Sequence, residues 1–222
     1  MDTGRDQDVL KAVLVEYWSH RPHIPLHKTG NYFKFAYQNG LKGFFFDSLL
    51  GYWGTQGINY YLIARLSVRP ELSVDDVIDE WCSAFGTAKR VIRRYIDFWE
   101  KFTEKARYPI HAGGAVLQEG GLFEQAVKRH GVTPSAIRGS WEALPFLVTE
   151  EMIARSREML EEARRLEDDP DVRRRIDFLE DGLRHLEAIG SSYWRTGRCV
   201  QRARPSSRSR IATSNSRRCA VS

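Results

Sequence analysis

Two carboxylates in the first fifty residues, Glu16 and Asp47, are placed to do acid/base chemistry on a glycosidic bond. Glu16 lies inside the run Val13-Leu14-Val15-Glu16-Tyr17-Trp18, and Asp47 directly follows Gly43-Phe44-Phe45-Phe46. A pair of acids across the bond is the minimum set for its hydrolysis, and their separation selects retention or inversion. Aromatic rings accompany both acids: Trp18 beside the first, and Tyr52-Trp53, between Gly51 and Gly54, after the second. A sugar needs acceptors for its hydroxyls and flat rings for its C–H faces. The catalytic candidates are therefore Glu16 and Asp47, and the substrate-binding candidates are Trp18, Asp47, Tyr52 and Trp53. The same residues have plainer uses: acids cap helices or order loops, and large rings pack elements together.

Other chemistries find less support. His20, His23 and His27 share one loop with no acid nearby, which is a weak metal pattern. Cys82 falls on the inward stripe of a predicted helix, which suits core packing better than nucleophilic catalysis. The other two thiols, Cys199 and Cys219, lie near the carboxyl end, and no cysteine spacing matches a zinc site. Nucleophile-elbow, phosphate-loop and dinucleotide patterns are missing. No cofactor and no metal centre are expected.

Elements must hold these residues in place. Val13 to Trp18 reads as one strand and Leu41 to Phe46 as a second, the latter apolar enough to be buried on both faces of a parallel sheet. Between them come a proline-broken loop from Ser19 to Lys28 and a short helix from Asn31 to Gln38, stopped by Asn39-Gly40. Gly57 to Leu66 is a second helix. The order βαβα is that of the terminal units of a (β/α)8 barrel, whose sites form at the carboxyl ends of the strands. A closed barrel needs roughly 200 residues, so this barrel is incomplete.

After Pro70 the pattern is helical throughout. Ser73-Val74-Asp75-Asp76 resembles a capping box with Asp in place of Glu. The stripe Val74, Val77, Ile78, Trp81, Cys82 and Phe85 follows, ended by Gly86. Thr87 can cap a helix carrying Val91, Ile92, Tyr95, Phe98, Trp99 and Phe102. A glycine-rich loop leads to Leu122–His130, stopped by Gly131. Thr149 opens a long helix, and Asp169-Pro170 starts the last, whose stripe is Val172, Ile176, Leu179, Leu183, Leu186 and Ile189. These two should form an antiparallel hairpin. The fold class expected is mainly α with a small α/β part: residues 1–70 a partial barrel, 71–194 a helical domain, and 195–222 a disordered tail.

Charge distribution supports that division. The whole chain carries a formal +5, from 34 basic and 29 acidic residues. Eight arginines and no acid lie between Arg195 and Ser222, leaving 26 basic against 29 acidic residues before it, a net of −3. The ordered part is mildly acidic, so neither a nucleic-acid nor a membrane partner is expected. The tail has no aromatic residue and no Leu, and its Arg, Ser, Ala, Pro, Gly and Cys content reads as a GC-rich gene translated out of frame. No apolar leader opens the chain, and no run of eighteen apolar residues spans a membrane.

Several segments together resemble the carboxyl-terminal half of an uncharacterised bacterial family related to glycoside hydrolases. They are Tyr17-Trp18, the Gly40-x-x-Gly43 strand entry, Trp53-Gly54-x-x-Gly57 with Tyr60-Tyr61-x-x-Ala64-Arg65-Leu66, and Asp75-x-x-Ile78-x-x-Trp81-Cys82-x-x-Phe85-Gly86. Glu161-Glu162-Ala163 and Arg175-Ile176 in the last helices add to it. The resemblance spans about residues 10 to 190 and implies an α-glucuronidase- or hexosaminidase-like barrel followed by a helical domain. It implies carbohydrate as partner. Related hydrolases usually hold their catalytic acids on upstream strands that this chain lacks. The expected function is that of a truncated carbohydrate-active protein contributing sugar-binding loops without turnover of its own. The alternative is a non-catalytic helical interaction or structural module, its aromatics used in packing.

Overall fold

The computed structural model describes residues 23–40, 52–111, 115–134 and 138–202. Helices dominate the described residues. They are α1 (Leu26–Gln38), α2 (Trp53–Val68), α3 (Val74–Ser83), α4 (Lys89–Ala106), α5 (Leu122–His130), α6 (Arg138–Leu147), α7 (Glu150–Arg165) and α8 (Pro170–Arg202), with a 3-10 turn at Gly86–Ala88. The sole strand pairing among the described residues is a two-residue antiparallel ladder in the glycine-rich loop. There β1 (Ile110–His111) pairs with β2 (Ala115–Val116).

That arrangement overturns the βαβα barrel reading. Both expected strands, Val13–Trp18 and Leu41–Phe46, lie outside the described residues. Among the described residues no parallel sheet lies under the two helices between and after them. α1 begins at Leu26, inside the stretch expected to be a loop, and buries Leu26, Thr29, Gly30, Phe33 and Ala36 at helical spacing. α2 begins at Trp53 rather than Gly57, so the supposed Tyr-Trp loop is the entry and first turn of a helix. Ile58, Asn59, Tyr60, Leu62, Ile63 and Leu66 are buried almost all round α2, the mark of an interior helix. It packs on α1, α3 and α8, and its side chains belong to the same apolar core as Ile78, Ile92, Trp99, Phe123, Leu160, Ile176 and Leu183.

One contact explains how α2 gets so close to α8. A Cβ built on Gly182 would lie 2.6 Å from the carbonyl carbon of Gly54, and one on Gly54 would lie 2.9 Å from the Cα of Gly182. The helices cross backbone against backbone, which a side chain on either residue would prevent. Gly54 therefore serves a helix crossing, not a turn.

The helices after Pro70 follow the sequence pattern. Ser73 and Asp76 form the reciprocal capping box: the Asp76 amide donates to Ser73 Oγ at 3.0 Å, and the Ser73 amide to Asp76 Oδ2 at 3.3 Å. Gly131 ends α5 in the left-handed region at φ +65°. Thr149 Oγ1 accepts from the Met152 amide at the head of α7, and Asp169 Oδ1 accepts from the Asp171 amide at the head of α8.

Thr87 does not cap α4. Its amide donates instead to Glu167 Oε2 at 2.9 Å, and the same carboxylate accepts from the amides of Asp168 and Asp169, both at 3.1 Å. Glu167 thereby joins the α3–α4 turn to the α7–α8 turn. α6, unforeseen in the sequence, carries Pro145 near its end and packs on α5 and α8.

α7 and α8 run antiparallel. Arg157 pairs with Glu187 and Arg164 with Glu180, both at 2.7 Å, so seven residues forward on one helix is seven back on the other. α8 keeps helical backbone through Arg202, past Arg195, where the tail was expected to begin.

Candidate functional site

An open groove of about 760 Å³ lies between α2, α3 and α8. Trp53, Tyr60 and Tyr61 line it from α2, and Trp81 with Phe85 from α3 and its turn. Phe178, Leu179, Asp171, Arg174 and Arg175 line it from α8. Trp53 is half exposed and meets Tyr60 edge to face, with centroids 4.8 Å apart. Trp81 and Phe85 form a second tilted pair, also at 4.8 Å. Phe178 is likewise half exposed. Four rings of this wall thus stand as two contacting pairs, which fixes their orientation before any ligand arrives.

Polar groups sit on the α8 side. Arg175 Nη1 donates to the Ala84 carbonyl at 2.5 Å, fastening α8 to the end of α3. Arg174 pairs with Asp171 one turn earlier. Burial raises the Tyr60 hydroxyl above its ordinary pKa, with a smaller push from Tyr52. Tyr61 is raised too, by desolvation and then by Glu80, which Arg65 holds at 2.9 Å. Both phenols are neutral donors over the physiological range.

The sequence candidates divide. Glu16, Trp18 and Asp47 lie outside the described residues, as does His20. Tyr52 and Trp53, expected to act together, separate: the Tyr52 ring stacks on His185 of α8 at 6.2 Å, while Trp53 stands in the groove. Trp81 was read as part of an inward stripe, yet it is only half buried and lines the groove. Phe178 was not foreseen. The signal was available, because Phe178 falls off the Val172, Ile176, Leu179, Leu183 stripe and is a large ring on an otherwise polar face.

The two described histidines of the early loop go separate ways. His23 is buried, edge-on to Tyr108 at 5.5 Å, and its carbonyl accepts from Asn59 Nδ2 at 2.7 Å. His27 lies in the first turn of α1, with Nδ1 3.0 Å from both oxygens of Glu100. Among the described residues no group of His, Cys, Asp and Glu is placed to hold a metal. Cys82 is buried in the core, and desolvation pushes its thiol up to about 12, so it is no nucleophile.

A smaller recess of about 300 Å³ lies where the start of α1 meets the end of α4. Lys28, Glu100, Thr103, Glu104, Arg107 and Gln118 surround it. Several of these are engaged within the fold: Glu100 with His27, Thr103 Oγ1 with the Ile24 amide, and Gln118 with the Tyr108 carbonyl. No described helix is long and apolar enough to cross a membrane.

No family model matches the chain, and neither a curated protein nor a solved structure does.

Proposed function

We propose that this chain is the helical, glycan-holding part of a carbohydrate-active protein, providing a ring-lined groove for a sugar without turning it over alone. The observation that carries the reading is Trp53, whose half-exposed indole stands in the α2–α3–α8 groove. Tyr60 and Tyr61 flank it, and Arg174, Arg175 and Asp171 supply donors and an acceptor from α8. A mostly apolar cleft with a few convergent polar groups is the usual form of a small-ligand site. The resemblance to glycoside hydrolase relatives, carried by Trp53-Gly54-x-x-Gly57 and Tyr60-Tyr61, supports the same class of ligand. In this reading Trp18 and Asp47 remain candidates for sugar contact, and Glu16 and Asp47 the candidates for acid/base chemistry.

The test is a glycan array followed by calorimetry on the full chain with the best neutral oligosaccharide. Trp53→Ala and Phe178→Ala should each weaken binding by about 1–3 kcal/mol, the loss of one buried ring. Circular dichroism checks that both variants keep their helices. Unchanged affinity in both removes the groove from glycan binding.

One observation favours the second reading, a non-catalytic interaction module. The groove lining is mainly apolar, and Trp53 and Phe178 both present bare rings to it. An amphipathic helix of a partner protein would cover such a surface by side-chain insertion. Absence of glycan binding, with both variants losing affinity for a helical peptide, would establish that reading instead.

A further inference from the structure

We propose that His27 is a pH-sensitive clasp that holds the start of α1 against α3 and α4, tight when its ring is protonated and slack when it is neutral. The device is separate from the groove and does not depend on the glycan reading.

The geometry is that of a cation between two acids on two helices. From α4, the Glu100 carboxylate, largely shielded from solvent, has both oxygens 3.0 Å from His27 Nδ1. It also accepts the His27 backbone amide at 2.8 Å, satisfying a first-turn donor of α1. From α3, Asp75 Oδ1 lies 3.6 Å from His27 Nε2. Arg93 of α4 holds Asp75 in place at 2.5 Å, and takes Asp79 at 2.7 Å and Asp97 at 2.9 Å with its remaining nitrogens.

A neutral imidazole carries one N–H, so it cannot donate to both acids. Losing the proton turns a lone pair toward either Glu100 or Asp75 and removes the charge that both acids face. The start of a helix is also the wrong end for a cation. The charge is tolerated there because two carboxylates surround it, and the clasp depends on both.

Burial acts to lower the His27 pKa, but the bond and charge of Glu100, then those of Asp75, outweigh it and leave the pKa above the ordinary histidine value of 6.5. A raised folded-state value fixes the sign. The stabilisation is complete below the unfolded pKa and is lost as pH rises through the folded one. α1 is therefore held best under mildly acidic conditions and less tightly as pH rises through the folded value.

The experiment uses the full chain. The ring of His27 is titrated by NMR, assigned by its loss in His27→Gln, and amide protection across α1 is compared at mildly acidic and mildly alkaline pH after correction for intrinsic exchange. Wild type should titrate above the ordinary histidine value, and α1 protection should fall several-fold on raising the pH. His27→Gln, which cannot titrate, should show a flat profile. Glu100→Gln provides a second reading, lowering the His27 titration point. Titration of wild-type His27 at or below the ordinary value overturns the proposal, and so does a protection profile shared by wild type and His27→Gln.

Discussion

The close crossing of α2 over α8 makes a prediction whose sign is unusual. Replacing a helical glycine by alanine ordinarily stabilises, by about 1 kcal/mol, through lower conformational entropy of the unfolded chain and better helix propensity. At Gly182 the added Cβ would stand 2.6 Å from the carbonyl carbon of Gly54, 2.7 Å from its oxygen and 3.0 Å from its Cα. Ordinary contacts begin at 3.4 Å, so the two backbones must part by nearly an ångström. No flexible side chain can yield in their place. Overpacking of this kind costs about 1–3 kcal/mol, and separation also strips contacts from the core around Leu179 and Ile58.

With only backbone available to yield, the cost falls in the upper part of that range, about 2–3 kcal/mol, and less the propensity gain Gly182→Ala should lose roughly 1–2 kcal/mol net. In a chain of this size each kcal/mol moves the midpoint by about 2–4 °C. The melting temperature by circular dichroism should thus fall by about 2–8 °C. Gly57 is the control, one turn further along α2, where a Cβ would meet nothing nearer than the Trp53 ring at 4.0 Å. Gly57→Ala should raise the midpoint. If Gly182→Ala raises it too, the backbone crossing is not there and the position of α2 in the core must be redrawn.

Other outcomes follow from single residues. Ser73→Ala removes the side-chain acceptor of the capping box and should cost about 1 kcal/mol in denaturant unfolding, with no change in the slope against denaturant. Cys82, raised to about 12 by burial, should stay unmodified by iodoacetamide in the native protein and react once denatured; peptide mass mapping distinguishes it from Cys199 and Cys219, and native labelling of Cys82 would contradict the packing. Glu167 is held below the ordinary carboxylate range by the amide of Asp169, then by the amide and hydroxyl of Thr87. A depressed value contributes stability above the unfolded pKa and loses it as pH falls through the folded one, so wild type should lose more stability on acidification than Glu167→Gln, whose midpoint at neutral pH should be the lower of the two.

The legible part of this fold was the part whose signals are local. Ser73 with Asp76, Asp169 with Pro170, and Gly131 each announce a helix end from residues within one turn, and each does so in the structure. Most residues of the stripes of α3, α4 and α8 repeat at three and four residues and end in the core, with Trp81, Phe98 and Ile189 only partly buried against it. The failures have long-range causes. Gly54 reads as a turn residue until Gly182 lies against it, and two glycines far apart in the chain give no local sign of their pairing. Thr87 has the right chemistry for a cap, but its hydroxyl is turned to the Leu166 carbonyl and the Glu167 carboxylate, the latter a charged acceptor. α6 was missed because Arg138–Leu147 is short and holds Pro145, which discourages a helical reading.

Of the candidate site, Trp53 was found by its residue type, but for a loop geometry it does not have. Phe178 lies off the inward stripe of α8, so the stripe itself carries no sign of it. A ring that breaks the polar pattern of an outer face was the better signal.

The α7–α8 pairing has a consequence for how this chain can change length. Arg157 with Glu187 and Arg164 with Glu180 set a common register, and the turn between the helices is anchored by Glu167 gripping three amides from two places in the fold. One residue inserted between Arg165 and Pro170 would rotate α8 by about 100° at 3.6 residues per turn unless the turn bulged, and bulging would pull the gripped amides away. The rotation would carry Leu179 out of the core and Gly182 away from Gly54. Surface turns usually tolerate such insertions; this one is a gauge block, whose length sets the alignment of everything α8 touches.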